Sequence, residues 1–245
     1  NATGDEDNSV VGVDLRLATS TFQKNKNMAF TLFGLKSSTA DVNDNDIAFG
    51  GEFVLPNDAF SVRLGHFQIE ENFQTGIGFV PRTGIKETYF ATGIGPRPNK
   101  HGITQINVET SVDYITDTYN TLLTREIDLT PMDIRFLTGD QFTVTTGPQY
   151  ELLKSVFDIH PDHLIDAGIY DFWRHSVTFV SAQRRNFWAS AGLEWGDFYN
   201  GDRSTTELAF GYKINVPIYV GLEFEHNDVN LPTGGFETDI YRWNV

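Results

Sequence analysis

STTELAFGYKINVPIYVGLEFEH, Ser204 to His226, reads as two strands and the turn between them. Its even positions are Leu208, Phe210, Tyr212, Ile214, Val216, Ile218, Val220, Leu222 and Phe224. Its odd positions include Glu207, Ala209, Gly211, Lys213, Asn215, Gly221, Glu223 and Glu225. A period of two puts each set on one face of a strand, so one face is apolar and the other small or charged. Asn215, Val216 and Pro217 supply the turn, because proline gives no ladder donor and belongs at a strand end.

The same alternation continues outward through the chain. It runs through RNFWASAGLEW (Arg185–Trp195) and ITQINVETSVDYI (Ile103–Ile115). Further segments are Val10–Thr21, Met28–Leu35, Ile47–Leu55, Phe60–Ile69, Ile85–Ile94, Leu122–Phe136, Gln141–Gln149, Gly168–Val180 and Thr238–Val245. Together these predict roughly 13 strands. Polar breaks such as FQKNKN, DVNDND, LPND, YNGDRS and LPTGG separate them and carry the Asn, Asp, Gly and Pro of tight turns. The longer connections, Glu70–Gly84 and Glu151–Asp166, read as ordered loops. No segment longer than a turn has helical periodicity and no linker marks a boundary, so residues 1–245 read as one domain.

The 245-residue chain has no apolar run long enough for a membrane helix, which needs about 18 consecutive residues, although a β-barrel spans with strands. A net charge of −15, with no basic stripe, argues against nucleic acid as a partner. The chain has no cysteine, which removes disulfides, thiol nucleophiles and thiolate metal sites.

Strand number decides which way the faces point. A barrel of about eight strands is filled by its own side chains, whereas one of 13 or more encloses water or a plug, so its apolar face turns outward to lipid. The expected fold is therefore all-β, an antiparallel up-and-down transmembrane barrel. Inward positions would carry Glu109, Asp113, Glu194, Glu207, Lys213, Glu223 and Glu225, an acidic wall favouring cations. Tyr114, Trp195, Tyr199, Tyr219, Tyr241 and Trp243 stand near strand ends, where aromatic girdles form. The competing fold is a soluble, secreted β-sandwich that binds or cleaves glycans; its alternation is the same with the apolar face inward.

ENFQTGIGFVPRTGI (Glu71–Ile85), LTGDQFTV (Leu137–Val144), GDFYNGDR (Gly196–Arg203) and NDVNLPTGGFETDIYRWNV (Asn227–Val245) add a further signal. In order and spacing they resemble the C-terminal barrel, domain of unknown function 5916, of bacterial carbohydrate-binding family 9 domain-containing proteins. The resemblance implies a bacterial outer-membrane barrel acting as a pore, anchor or uptake component, with lipid, small solutes or glycans and other cell-envelope proteins as partners. It also implies that the chain is part of a longer barrel, because the family places a binding module before these strands and more strands after the LPTGG hairpin.

The candidate sites carry no catalytic signature. Glu223 and Glu225 share a face about 7 Å apart by strand rise, a spacing open to inverting glycosidase chemistry but also to two lumen carboxylates. No G-x-S-x-G elbow is present. FDIHPDHLID offers His160, Asp162, His163 and Asp166 to a divalent metal, without a closed zinc spacing. DVNDND offers Asp41, Asp44 and Asp46 to calcium, without the glycine and distal glutamate of an EF-hand. Solvated loops explain both. Arg82, in GFVPRTG, either folds inward to pair with wall carboxylates or pins its loop to the rim.

Overall fold

The computed structural model describes residues 8–39, 44–75, 78–161, 163–214 and 218–244. Among them there is no helix, and 15 strands form. They are β1 (Asn8–Phe22), β2 (Lys26–Thr39), β3 (Ile47–Leu55), β4 (Ser61–Ile69), β5 (Ile85–Ile94), β6 (Ile103–Asp117), β7 (Leu122–Phe136) and β8 (Gln141–Leu153). β9 (Phe157–His160), β10 (His163–Ile165), β11 (Gly168–Val180), β12 (Phe187–Phe198), β13 (Gly201–Lys213), β14 (Tyr219–Leu231) and β15 (Gly234–Asn244) follow. Thirteen make one antiparallel sheet in chain order, with β9 and β10 set aside as a sheet of their own. β1 and β15 each have one neighbour, so the sheet is open.

The strands form where β-branched and aromatic residues alternate with polar ones, and they stop where turn chemistry takes over. Between β6 and β7, Asp117 Oδ1 accepts the backbone N–H of Tyr119 at 3.1 Å and of Thr121 at 2.8 Å. Asn120 takes the left-handed conformation that asparagine tolerates, at φ 69°. Between β14 and β15, Leu231 pairs with Gly234 across a two-residue loop, and Gly234 has φ 131°. The proposed turn at Asn215–Pro217 lies outside the described residues.

Contacts divide the chain into two units, and the division crosses strands β5, β6 and β7 rather than a linker. The first comprises Asn1–Thr92 with Ser111–Arg125. Its register aligns Leu15 with Leu32 and Gly51, and Leu17 with Phe30, Phe53 and Leu64 on one face. Most of these apolar side chains are exposed, as are Val11 and Val13 on the same face of β1. The opposite face carries Arg16, Glu52 and Arg63, with Arg63 paired to Glu52 and placed over the Tyr89 ring at 5.1 Å.

The second unit comprises Gly93–Thr110 with Glu126–Val245. Its register sets Phe142, Phe179, Ala191, Leu208, Phe224 and Tyr241 in one row across six strands. A neighbouring row is Ala189, Phe210, Leu222 and Trp243. This is the face expected to join β15 to β14, and Phe210, Tyr241 and Trp243 on it are exposed, Trp243 at 73%. The buried residues of this unit include Gln105, Asn107, Asp133, Arg174 and Thr205.

Two expectations about the elements are corrected. The Glu151–Asp166 connection is not a loop but contains the β9–β10 hairpin, in which His163 pairs with His160 and Ile165 with Phe157. Tyr199 and Tyr219 do not join an outer girdle. Tyr199 turns inward among Phe157, Tyr170, Phe172 and Phe198, and burial, ahead of the nearby Glu151 charge, raises its phenol above the ordinary value. Tyr219 lies on the polar-parity face, parallel to Trp188 at 6.5 Å. Both rings approach Gly211, where any Cβ would collide with them.

Candidate functional site

The site is the polar-parity face of β11–β15. Register places Glu207 directly opposite Glu225, Ala209 opposite Glu223, and Lys213 opposite Tyr219, so Glu207, Lys213, Glu223 and Glu225 share one face. That face is less acidic than its carboxylates suggested. Arg242 on β15 reaches both neighbours, with Nη1 3.7 Å from Glu223 Oε2 and Nη2 3.6 Å from Glu225 Oε2. Asn227 donates to Glu225 at 2.9 Å and Asn244 to Glu223 at 3.2 Å. Lys213 donates to the Gln183 carbonyl at 2.7 Å. Two carboxylates bridged by an arginine and amides are held as acceptors, an arrangement for a wall rather than for an acid and a base working on a bond between them.

Closer to the β14–β15 turn, charge is concentrated around Arg174. Its side chain is only 7% exposed, because Gly147 and Gly196 are its register neighbours on either side. Its Nε donates to Glu194 at 3.1 Å, its Nη2 makes a second bond to the same oxygen, and Arg203 donates to that oxygen at 2.6 Å. Arg174 Nη1 also meets the carbonyls of Gly196, Asp197 and Arg203 at 3.2, 3.3 and 2.9 Å. Burying a guanidinium is tolerable only with this degree of satisfaction. Of the charges on this face, Glu194, Glu207, Glu223 and Glu225 are balanced by Arg174, Arg203, Lys213 and Arg242.

Beyond Arg203 the same face becomes apolar and is covered. Val229 and Leu231 of β14 are buried with Ile165 of β10, against Leu153, Ile159, Tyr170, Phe198, Tyr199 and Phe236. Ile165 is fully buried. The His160 ring stacks on Phe236 at 4.5 Å and 11°, and the His163 ring meets the same phenyl at 4.9 Å. Gly234 leaves room there, since a Cβ on it would stand 3.2 Å from His163 Cε1.

The remaining candidates have structural roles. His160 and His163 lie side by side, 5.7 Å between ring centroids, as packing surfaces for Phe236. Among the described residues no three His, Asp or Glu side chains are grouped for a metal. Asp162 and Asp41 lie outside the described residues. Asp46 is buried rather than displayed in an open calcium loop, with its carboxylate 3.1 Å from Lys36 Nζ. Asp44 offers its backbone carbonyl to Asn72 at 2.8 Å. Arg82 is half-buried in the connection before β5 and pairs with no described carboxylate. The reading from sequence missed Arg174 and the hairpin. Arg174 carried a signal, an arginine at the small-and-polar parity of β11 between Phe172 and Ser176.

The chain matches no model of a known protein family, no curated protein and no solved structure.

Proposed function

We propose that the chain forms the wall of a bacterial outer-membrane β-barrel, and that its polar face lines a passage for small solutes, glycan fragments among them. One observation carries this reading: burial is inverted relative to a protein bathed in water. Gln105, Asn107, Asp133, Arg174 and Thr205 are buried, while Phe210, Tyr212, Ile214, Tyr241 and Trp243 are exposed. Single exposed apolar residues are ordinary, but continuous rows at one parity beside buried polar groups are not.

The dimensions agree with a bilayer. From Phe187 to Trp195 the outward parity of β12 is Phe187, Ala189, Ala191, Leu193 and Trp195, a nine-residue span. Tilted membrane strands need about 9–11 residues. Thirteen strands are also too many for side chains to fill a closed interior. In hydrocarbon the open edges of β1 and β15 need strand partners, because each unpaired peptide group costs several kcal/mol. The phrases shared with the family 9-associated barrel support the same reading. Since the named wall charges balance, the passage is weakly selective rather than strongly cation-selective.

Fractionation with reconstitution tests the proposal. The protein should stay with membranes through a carbonate wash, require detergent for solubility, and produce discrete conductance steps in a planar bilayer. A monodisperse protein soluble without detergent would overturn it and favour the soluble glycan-binding or glycan-cleaving domain.

A further inference from the structure

We propose that the β9–β10 hairpin is the constriction of this passage, and that Asp158, flanked by Val156 and Leu164, is its selecting residue. The inference rests on the barrel reading and adds the class of solute that passes: small and neutral or cationic, with an apolar flank.

The excursion is longer than its geometry requires. Leu153 and Gly168 are cross-strand partners, so a tight turn would join β8 to β11. Fourteen residues, 154–167, stand there instead. They pack along the sheet, and the register says on which side. Val229 pairs with Phe236 and with Arg203, and Arg203 pairs with Gly196, the partner of Arg174. The hairpin's floor is therefore the same face as the charged wall. If that face lines the passage, the hairpin lies inside it, next to Arg203.

The hairpin has a fixed side and a free side. Ile165 and Phe157 pair across it on the wall side, where Ile165 is buried and the Phe157 ring lies 6.2 Å from Tyr199. Leu164 and Asp158 pair on the other side, where Leu164 is 48% exposed, Asp158 is exposed, and Val156 is 53% exposed. A solute crossing here meets two aliphatic side chains and one carboxylate. Narrow apolar rims resist hydrated ions, and a single carboxylate at such a rim selects by charge where the wider wall is balanced. The stacked His160–Phe236–His163 group and the buried Ile165 hold the element in place, so the constriction is built in rather than a loop that happens to fall inward.

Planar-bilayer recording separates this proposal from the one beneath it. Replacing residues 156–165 with a short Gly-Ser turn should raise unitary conductance severalfold and weaken discrimination by size. The native chain has no cysteine, so Asp158→Cys provides one reporting thiol. Modification with a cationic methanethiosulfonate, confirmed by mass, should at least halve the current and move the reversal potential toward anion preference. A labelled channel with unchanged conductance and selectivity would overturn the constriction while leaving the barrel intact. Wild-type protein that never inserts would overturn both. If the deletion variant does not fold, the Asp158→Cys result decides the matter.

Discussion

Two stretches of the same strands, a few residues apart, have opposite polarity. In the middle of β14, Val220, Leu222 and Phe224 are apolar and Glu223 and Glu225 are charged. Toward the turn, the parity that held Leu222 continues as His226, Asp228 and Asn230, while the parity that held Glu223 continues as Val229 and Leu231. β15 inverts likewise, from Trp243 and Tyr241 to Asp239 and Glu237 on one side, and from Arg242 to Phe236 on the other. No bulge interrupts the β13–β14–β15 register, so the inversion is written in sequence and not in geometry. Each face takes the character of what covers it: lipid on one side in the middle, and the hairpin on the other side at the end. A strand need not be amphipathic in one sense along its whole length.

This contrast predicts effects that depend on position as well as on parity. The largest should come from Ile165→Ala, which empties the fully buried centre of the hairpin's seat and should cost about 2 to 5 kcal/mol. Limited proteolysis should then cut within 154–167 while the remaining strands stay protected. Arginine replacements come next. Leu222→Arg should cost about 2 to 4 kcal/mol in a bilayer, whereas Asp228→Arg, on the same parity beyond the inversion, should cost about 0 to 1 kcal/mol, by urea unfolding in liposomes. Equal costs would erase the distinction between middle and end.

The opposite ends of the strands offer a pH test. In the β7–β8 turn, hydrogen bonds from Arg185, then Thr138, then the Ala182 N–H hold the Asp140 carboxyl well below the ordinary carboxylate range. A folded value below the unfolded one stabilises above the unfolded pKa, about 3.9, and the contribution is lost as pH falls toward the folded value. Thermal melts of wild type and Asp140→Asn should therefore differ at pH 5 and converge as acid is added below pH 4. The smallest effect on stability belongs to Arg242→Ala, within about 1 kcal/mol because its pairs are exposed. It should nevertheless shift reversal potentials toward cations, since Glu223 and Glu225 lose their counter-charge.

Much of this was legible because alternation is a local property. Ile47–Leu55, Ile85–Ile94, Leu122–Phe136 and Gly168–Val180 are strands with the bounds their residues announce, and Tyr241 and Trp243 do fall beside Phe224 and Leu222. The hairpin was not legible, because strands of four and three residues hold too few positions to show a period, and Ile165 is buried by residues more than sixty positions away. The inward turn of Tyr219 could have been read, since it has the parity of Glu223; nearness to a strand end says nothing about face. Pairing partners were hidden for a different reason: a carboxylate's neighbour across the sheet depends on register, which no single strand contains, so the acidic wall looked uncompensated until Arg242 was set beside it.

The Arg174 cluster has a mechanical consequence. Barrel strands under tension usually leave as hairpins, each peeling from its neighbour one ladder at a time. Arg174 belongs to β11 but bonds carbonyls on β12 and β13, together with a carboxylate that Arg203 also grips. It acts as a rivet through three staves. Under a pulling force, β11, β12 and β13 should yield as one segment, and the longest single extension in a force trace should begin there.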